Sequence, residues 1–518
     1  MIRIKNIRVP IKENIDLLCI VSKKLRVNKD RIKSYKIHKR SIDARNKKMF
    51  SYVFDIDVSI DSEQNYIDNK NIFKVLDEEY KAPEKGHKKY NGKVVVVGAG
   101  PAGLFASLKL ATYGYKPLII ERGEQVEERI KTIEKLWNEN ILNEESNICF
   151  GEGGAGTFSD GKLNTLVKDK NYRMKEIFKT FVECGAPEEI MYDNMPHIGT
   201  DILRKVIINL REKIISLGGE FRYNSKLEDI VIDNNKLKGI IVNNEFIECE
   251  ILVLAIGHSA RDTFKMLHKN KVLMEAKPFA VGVRIIHPQD LINENQYPIN
   301  YKFLPSASYK LTYNSSTHNG VYSFCMCPGG FVVNSSSNKN KLCINGMSNY
   351  KRDSGYANSA IIVSVGPDIY GNGLFDGLKF QETMEEKAFK LGNGLIPVQK
   401  YIDYKNNVIS TNIDSNPFKG GIKPCDISLI FPNIINKNLV EGIDYFNNKI
   451  NGFNKESAII AGVESRTSSP IRIKRDEYFE SNIKGIYPCG EGAGYAGGIT
   501  TSAMDGLKVF EAIYEKYE

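Results

Sequence analysis

The chain has 518 residues, of which 42% are hydrophobic and 26% charged, an ordinary composition for a globular protein of about three domains. It contains no apolar run of about 18 residues, and its first residues, MIRIKNIRVP, lack an apolar core, so neither a membrane span nor a secretory signal is expected. The nine cysteines, an odd number, fit a reducing cytoplasm better than a disulfide framework.

Residues 1–80 are predicted to form a small basic α/β domain. Residues 1–10 suggest a strand, residues 13–25 a helix, and residues 50–60 alternate between apolar and polar side chains as a half-buried strand does. Residues 1–49 carry a balance of +12, whereas the rest of the chain sums to −3. This charge is either a solvated basic face or a contact surface for an acidic partner such as RNA. Residues 81–92 are interpreted as a linker.

Residues 93–123 carry the fingerprint of a dinucleotide-binding βαβ unit. A buried parallel strand is predicted at Val94–Val97, a helix at residues 101–113 and a second strand at Leu118–Ile120. The motif G-x-G-x-x-G lies between the first strand and the helix, and an acidic residue ends the second strand. All these parts occur at the expected spacing, which makes the motif far more specific than three glycines alone.

Each part of this motif has a role in holding a dinucleotide. Gly98 allows the tight turn, Gly100 lets the backbone approach the pyrophosphate, and Gly103 lets the helix pack on the strand. The first helical residues point the positive end of the helix dipole at the phosphates. Glu121 is expected to accept hydrogen bonds from the adenosine ribose. The other residues assigned to the cofactor in this unit are Pro101, Ala102, Arg122 and Arg129.

The stretch FGEGGAGTFSDGK, residues 150–162, is a second glycine cluster. It follows the short ICF rather than a long buried strand, it leads into a polar segment rather than a helix, and no acidic residue ends a second strand further on. We therefore interpret it as a loop that serves the first ligand. Gly153, Gly154 and Gly156 are expected to lie where a Cβ would collide with that ligand, and Lys162 could balance phosphate charge. The alternative is a simple surface loop.

The remaining chain is predicted to complete this domain around an insertion. Residues 202–215 indicate an amphipathic helix, and three alternating runs within residues 226–249 indicate a β-meander. An apolar strand at residues 251–256 leads to Gly257, at a position where ligands sit in open α/β sheets. Residues 93–270 and 455–518 are thus interpreted as two segments of one domain, and residues 271–454 as an inserted mixed α+β substrate domain.

A further glycine-rich turn, CGEGAGYAGG, joins a short strand to a C-terminal helix. Backbone N–H groups at Gly497, Gly498 and Ile499 could stabilise negative charge on the N1–C2=O edge of a reduced flavin. Gly490 is assigned to the same site, and Glu491 could accept a hydrogen bond from the ribityl chain. NAD has no comparable anionic edge, so the two glycine turns together favour FAD over NAD.

The chain resembles a family of largely uncharacterised FAD-dependent dehydrogenases. The stretches that carry the resemblance are VVVVGAGPAGLFASLKLATYGYKPLIIERG, NICFGEGGAGTFSDGKLNT, AIGHSARDT, YSFCMCPGG, ESRTSSPIRI and YPCGEGAGYAGGITTSAMDGL. The resemblance implies the two-motif flavoprotein fold of the glutathione-reductase and fumarate-reductase-like groups, with FAD in a discontinuous domain and a substrate domain inserted. It also implies that residues 150–162 face cofactor and substrate. It does not supply a reaction.

Four residues are candidates for catalysis. Cys325 and Cys327, in YSFCMCPGG, are either two small buried residues or a thiol pair facing the flavin. On a regular strand their Cα atoms would lie about 6.6–6.8 Å apart, the outer limit for a disulfide. His258 is either a proton donor or a hydrogen-bonded loop histidine. Arg466 suits a carboxylate-bearing substrate or an FAD phosphate, with an ordinary salt bridge as the alternative.

The fold class expected from these patterns is α/β, a discontinuous Rossmann-like FAD-binding domain with an inserted α+β domain and a small N-terminal α/β domain. We expect a cytoplasmic FAD-dependent oxidoreductase that moves a hydride between flavin N5 and a small-molecule substrate. NAD(P)H or another donor would act transiently, and neither a membrane partner nor a metal is expected, since no His/Cys cluster has zinc spacing. The alternatives are an RNA-modifying flavoprotein that docks RNA on the basic domain and a non-catalytic flavin redox sensor.

Overall fold

A computed structural model describes residues 1–11, 14–46, 49–68, 70–76, 78–297 and 304–518. The N-terminal unit consists of β1 (Ile2–Pro10), α1 (Leu17–Leu25), β2 (Ile32–Asp43), β3 (Ser51–Ile60) and β4 (Ile72–Lys74). Its strands form an antiparallel sheet in the order β2-β3-β1-β4, with the apolar residues of the alternating strands buried against α1. The helix begins later than predicted, and Glu13, where it was expected to start, lies outside the described residues.

Much of the positive charge of this unit is paired with carboxylates. The pairs are Arg3 with Asp57 and Glu78, Arg8 and Arg45 with Asp43, Lys29 with Asp16, Lys33 with Asp61, and Arg40 with Asp193. The last pair joins the unit to the neighbouring domain, with Arg40 Nε 2.6 Å from the carboxylate of Asp193. Residues 81–92, interpreted as a linker, contain no helix or longer strand and are hydrogen-bonded to the end of the chain, where Gly86 N donates to Tyr514 O at 2.8 Å.

The next segment builds most of a parallel sheet and its helices. Its elements are β5 (Val94–Val97), α2 (Pro101–Thr112), β6 (Leu118–Ile120), α3 (Val126–Glu139), α4 (Arg173–Glu183), α5 (Thr200–Ser216), β7 (Glu220–Arg222), β8 (Leu227–Asp233), β9 (Lys236–Val242), β10 (Glu245–Glu248), β11 (Ile251–Leu254) and α6 (Arg261–Lys269). The strands β8, β9 and β10 form an antiparallel meander, as the alternating runs indicated.

The inserted region has far more regular structure than its sequence suggested. Its elements are β12 (Met274–Ala276), β13 (Phe279–Pro288), α7 (Gln289–Gln296), β14 (Thr312–Asn314), β15 (Gly320–Cys327), β16 (Gly330–Asn334), β17 (Ile344–Ser348), β18 (Tyr356–Val365), α8 (Pro367–Tyr370), α9 (Asp376–Gly392), β19 (Ile396–Lys400), α10 (Tyr401–Lys405), β20 (Phe418–Lys419), β21 (Ile422–Pro424), α11 (Asn433–Phe446), β22 (Ile459–Glu464) and β23 (Ile471–Ile473).

A seven-stranded sheet with the order β14-β15-β18-β13-β22-β19-β21 forms the centre of this region. The middle strands β13 and β18 are buried on both faces, so their sequences show no alternation. The sheet includes β22, which begins after the boundary predicted at residue 454. A boundary after Glu464 fits the strand pairing better, because β22 pairs with β13 and β19.

The chain then returns to the first domain through β24 (Ile486–Pro488) and α12 (Ile499–Tyr514). The strand β24 completes a five-stranded parallel sheet in the order β24-β11-β5-β6-β7. The helix α12 lies against α2, where Gly506 leaves no room for a side chain, since a Cβ would lie 2.2 Å from the carbonyl oxygen of Ala102. The fold class is α/β with an inserted domain, as predicted.

Candidate active site: a cleft at the switch point of the sheet

A cleft of about 410 Å³ lies at the carboxyl ends of the parallel strands. The strand β5 pairs with β6 on one side and with β11 on the other, so the connections leave it in opposite directions at this edge. Such a switch point is where ligands bind in open α/β sheets. The turns after β5, β6, β11 and β24 form its floor, and residues of β15, β17 and β22 close it from the inserted region.

The first glycine turn lines this cleft through Gly98, Gly100, Pro101 and Ala102. Gly98 has a φ of +101° and donates its N–H to Ile120 O at 2.8 Å, which fixes the turn against the neighbouring strand. Gly103 does not line the cleft. A Cβ at this position would lie 1.9 Å from the Gly98 carbonyl oxygen, so this glycine serves helix packing.

The carboxylate of Glu121 ties three segments of the cleft together. Oε2 accepts the N–H of Ala99 at 2.8 Å, and Oε1 accepts the N–H groups of Gly123 at 3.0 Å and Gly151 at 2.9 Å. The side chain lines the cleft, and Oε2 accepts only one of these bonds. A carboxylate oxygen has two lone pairs, so Glu121 keeps capacity for a ribose hydroxyl.

The two arginines assigned to the cofactor have other partners. Arg122 lines the cleft, but its guanidinium donates to Glu145 and Asp262. Arg129 is fully buried, does not line the cleft, and donates to four backbone carbonyls of residues 147–154. Burial without a carboxylate partner lowers the pKa of Arg129 to about 10. The assignment of Arg129 to the cofactor is therefore corrected: this side chain holds the second glycine cluster in shape.

The second glycine cluster lies directly across the first glycine turn. Gly154 and Gly156 line the cleft, and a Cβ on them would lie 3.2 Å from Gly100 Cα and 3.0 Å from Ile499 Cγ1 respectively. Gly153 does not line it, and a Cβ there would lie 2.0 Å from Thr157 Oγ1. Glycine is thus required at these positions by protein neighbours, and not only by the ligand that the sequence suggested.

Lys162 lines the cleft at the end of this cluster, with its Nζ 3.7 Å from the carboxylate of Asp160. Asp160 is buried and also accepts from Arg352 Nε at 3.0 Å. The two cations hold the pKa of Asp160 below its usual value, although burial alone would raise it. Asp160 therefore already offsets part of the positive charge of Lys162. This weakens the predicted role of Lys162 as a counter-charge for phosphate.

The turns after β11 and β24 bring a histidine and a carboxyl group together. His258 Nδ1 lies 3.7 Å from Glu491 Oε1, and both residues line the cleft with Gly257. Burial, with Arg466 and Arg261 nearby, lowers the pKa of His258 to about 3, so its imidazole is neutral. Its buried Nε2 has no hydrogen-bond partner among the described residues. Burial raises the pKa of Glu491 to about 7.

The N-terminus of α12 opens into the same space. Gly497, Gly498 and Ile499 line the cleft, and a Cβ on Gly497 would meet no atom within 4 Å. The first N–H groups of a helix have no intrahelical partners and carry the positive end of its dipole. Gly490 does not line the cleft; its N–H donates to Asp505 at 2.8 Å, and a Cβ there would crowd α2.

Arg466 lines the cleft, but its donors are occupied. Nε and Nη2 donate to Glu385 at 2.9 Å each, Nη2 also reaches Asn338 at 3.2 Å, and Nη1 donates to Ser259 at 3.1 Å and to Ser337. A guanidinium has five N–H donors, and this network uses them all. Arg466 is therefore better described as a buried ion pair than as a receptor for a substrate carboxylate.

The two cysteines of YSFCMCPGG differ in position. Cys325 lines the cleft, whereas Cys327 is buried behind it. Sequence reasoning missed two further polar residues of the inserted region that line the cleft, Asn345 and Glu464. Burial raises the pKa of Glu464 to about 6 despite its ion pair with Arg284. Glu464 opens the stretch ESRTSSPIRI, which was a usable signal, but nothing in the sequence marks Asn345.

The residues of the cleft fit FAD. Gly100, Gly257 and Gly497 face open space where side chains would intrude: the nearest atom to a Cβ is 3.9 Å away at Gly100, and none lies within 4 Å at the other two. The N-terminus of α2 could hold a pyrophosphate, and that of α12 the anionic edge of a flavin. The unpartnered Nε2 of His258 offers a further hydrogen bond. The sheet and this site define an FAD-binding flavoprotein.

Comparison with known proteins identifies the family. Residues 91–132 match an FAD binding domain, residues 278–467 match an FAD-dependent protein C-terminal domain-like model, and residues 1–59 match a domain of unknown function. An uncharacterized protein of Clostridium beijerinckii is 46% identical to this chain over 530 residues. The match covers 100% of this chain and 99% of the clostridial protein. The chain belongs to the same family as this clostridial protein, a family of FAD-dependent proteins, and FAD is its cofactor.

Solved structures resemble the chain only at low identity. Glycine oxidase from Bacillus cereus is 11% identical, with 83% of this chain and 98% of that chain covered and a TM-score of 0.37. L-proline dehydrogenase from P. horikoshii is 15% identical, with 83% and 94% covered and a TM-score of 0.35. Within the described residues, no helix is long and apolar enough to cross a membrane, and no group of three or more His, Cys, Asp or Glu side chains could hold a metal ion.

Replacing Gly154 with valine is expected to remove most bound FAD without creating or abolishing an NAD(P) site. Gly154 has a φ of +60°, and its Cβ would press on Gly100 at 3.2 Å, so the two glycine turns would separate. Flavin content after purification and calorimetry with NAD(P) test this. Gly114→Val is the control, because Gly114 has a φ of +90° but no atom within 4 Å of its Cβ. Micromolar NAD(P) binding lost in Gly154→Val with an unchanged flavin spectrum would contradict the interpretation.

Proposed function

We propose that this protein is an FAD-dependent oxidoreductase that moves a hydride between flavin N5 and a small-molecule substrate. The observation that carries the proposal is the pair of Glu491 and the α12 N-terminus at one edge of the cleft. A carboxyl group with a pKa of about 7 can hold or release a proton near neutral pH. Bound FAD supplies the hydride chemistry.

The chain's own groups have separate tasks in this proposal. The first N–H groups of α12 stabilise negative charge that develops next to them, because they are fixed in orientation and unpaired within the helix. His258 stays neutral, lies beside Glu491 with Nδ1 3.7 Å from the carboxyl oxygen, and can position the substrate through its unpartnered Nε2. Glu491 takes the proton that leaves a substrate undergoing oxidation, or returns it in the opposite direction. Phe324 and Cys325 line the same cleft.

The proposal is tested by anaerobic reduction of the FAD-loaded protein. Amino acids, hydroxy acids, thiols and NAD(P)H are added in turn, and bleaching of the flavin absorbance is followed. At least one class is expected to bleach the flavin in the wild-type protein and to do so more slowly in Glu491→Gln. Equal rates in both proteins would remove Glu491 from the reaction, and a flavin reducible only by dithionite or light would favour the redox-sensor alternative.

The flavin spectrum is expected to show a one-proton transition near pH 7 in the absence of substrate. Glu491 is protonated below its pKa of about 7 and ionised above it, so a negative charge appears beside the flavin site as the pH rises. Substrate oxidation should therefore accelerate as the pH rises through this value, and reduction in the opposite direction should slow. A spectral titration between pH 5.5 and 8.5 measures the transition.

Glu491→Gln should abolish this transition, whereas His258→Asn should retain it, because burial keeps His258 neutral down to about pH 3. The other titrating group of the cleft, Glu464, would give a transition closer to pH 6, and Glu464→Gln separates the two. Lys277 and Cys325 also influence Glu491, the lysine by lowering its pKa and the Cys325 thiolate by raising it. A transition near pH 7 that survives in Glu491→Gln would contradict the assignment.

We propose a small molecule rather than RNA as the partner, and a cytoplasmic location consistent with nine free thiols. The pairing of Arg3, Arg8, Arg40 and Arg45 with carboxylates supports a structural use of the N-terminal charge. The intact protein is therefore expected to show no tRNA retention at micromolar concentration in filter binding. Sub-micromolar binding that weakens steeply with salt would promote the RNA-modifying alternative.

A further inference from the structure

The strand that carries Cys325 and Cys327 is bent between them. The pairing of β15 with β18 shifts register between Phe324 and Cys327, and Cys325 has a φ of +44°, in the left-handed region. On a regular strand these cysteines would be too far apart for an easy disulfide. At the bulge the Cys327 side chain instead folds back towards Cys325, and its thiol donates to the carbonyl oxygen of Cys325 at 3.4 Å.

The surroundings of the pair favour a thiolate on Cys325. The hydrogen bond from Cys327 lowers the pKa of Cys325 to about 5, and the positive charges of Arg284 and Lys162 act in the same direction. Arg284 is fixed in place, with Nη1 3.1 Å from the Cys325 carbonyl and Nε 2.9 Å from Glu464. Conversely, burial and the neighbouring Cys325 raise the pKa of Cys327. Cys325 is thus an accessible nucleophile, and Cys327 behind it is a thiol that keeps its proton.

This pair differs from the other cysteines of the chain. Burial raises the pKa of Cys184, Cys249, Cys343, Cys425 and Cys489. Cys149 also lines the cleft, but its thiol donates to the carbonyl oxygen of Ser335 at 3.7 Å. The reactive chemistry available to the cleft is therefore concentrated at Cys325.

We propose that Cys325 and Cys327 form a redox-active dithiol that reduces small-molecule disulfides, with Cys325 as the attacking residue and Cys327 as the resolving one. This inference rests on the proposed function, because it names a disulfide as the acceptor substrate of the same flavin cleft. Cys325 is thus a catalytic residue that bonds to the substrate. Cys327, which is buried behind the cleft, then displaces the substrate from Cys325.

The electrons balance in three steps. The Cys325 thiolate attacks a disulfide R–S–S–R′, forms Cys325–S–S–R and releases R′–S⁻, which takes up a proton. The Cys327 thiol loses its proton and attacks the Cys325 sulfur, releasing R–S⁻, which is protonated, and forming the Cys325–Cys327 disulfide. Returning this disulfide to the dithiol requires two protons and two electrons, and FAD held in the cleft would supply the electrons in its reduced form.

The FAD-loaded protein is incubated with oxidised glutathione, quenched in acid and analysed by peptide mass spectrometry. The wild-type protein should show a disulfide within the single peptide that contains both cysteines, reversed by dithiothreitol. Cys327→Ser should instead accumulate a glutathione adduct on Cys325, and Cys325→Ser should show neither product at Cys327. Cys19→Ser, which changes a thiol in the N-terminal unit, is the control and should behave as wild type. Equal glutathione adduct on Cys325 in the wild-type and Cys327→Ser proteins would overturn the resolving role.

Two further measurements separate this inference from the proposed function. The alkylation rate of Cys325 should stay nearly flat from pH 6.5 to 8, while that of free glutathione, measured alongside, should rise about tenfold per pH unit; parallel profiles would overturn the thiolate assignment. Under anaerobic conditions, the photoreduced flavin should be reoxidised one-to-one by the preformed disulfide in wild-type protein and not in Cys325→Ser. A disulfide that forms but does not reoxidise the flavin would overturn the proposed electron transfer from flavin to disulfide. The measurement does not depend on knowing which molecule reduces the flavin in the cell.

Discussion

Replacing Gly100 with alanine is expected to yield a folded protein that has lost its yellow colour. An ideal Cβ at this position lies 3.9 Å from the nearest protein atom, Gly154 Cα, and the φ of −77° is one that alanine adopts readily. The folded protein therefore accommodates the methyl group, but the methyl group would collide with a pyrophosphate bound at the α2 N-terminus. We expect FAD to bind at least about 100-fold more weakly, a loss of about 2.8 kcal/mol.

Flavin fluorescence quenching during titration of the apoprotein measures this change, and circular dichroism checks the fold. Gly98→Ala provides the contrast, because its Cβ would lie 2.2 Å from Ala255 O at a φ of +101°. That variant should lose stability together with FAD. Stoichiometric, tight FAD binding by Gly100→Ala would place the pyrophosphate elsewhere.

Replacing Glu385 with glutamine is expected to lower the free energy of unfolding by about 3–5 kcal/mol. Glu385 lies on α9, is fully buried, and accepts from Arg261 at 2.8 and 2.9 Å and from Arg466 at 2.9 Å twice. The amide would leave the buried guanidinium of Arg466 without a negative charge and that of Arg261 with only Glu382, at 3.5 Å. Urea unfolding followed by circular dichroism gives the change.

The control is Glu382→Gln, one turn earlier on α9. Glu382 is partly exposed and interacts with Arg261 at 3.5 Å and Lys341 at 3.1 Å, so its loss should cost less than about 1 kcal/mol.

The two arginines hold the pKa of Glu385 well below its usual range. Its stabilisation is therefore complete above the unfolded pKa of about 4.3 and is lost as the pH falls through the folded value. Equal stability of the two variants at pH 7 would contradict the role of Glu385.

The sequence predicted the parts of the site that depend on local patterns. The strands Val94–Val97 and Leu118–Ile120 have the predicted bounds, because short apolar runs next to glycine turns are distinctive. The turns carrying Gly100 and Gly497 also lie at the cleft, because a strand that leads into a helix through glycines fixes its own geometry. The residue-level roles in FAD binding stay predictions.

What the sequence could not give depends on partners distant along the chain. For Arg466 the sequence left a ligand and an ordinary salt bridge both open, because its partner Glu385 is 81 residues away and no local pattern relates the two. Arg129 satisfies backbone carbonyls that only the folded loop brings together. The strands β13 and β18 are apolar on both faces and therefore lack the alternation that reveals a half-buried strand.

Two buried ion pairs also limit how the cleft can open. Asp160 with Arg352 and Glu385 with Arg261 each join the FAD-binding domain to the inserted region, and both carboxylates are almost completely buried. A hinge rotation of one domain away from the other would break both pairs, each costing several kcal/mol to expose an uncompensated charge. Substrate exchange should therefore proceed through local rearrangement of the segments around the cleft, with the two domains moving as one rigid body during turnover.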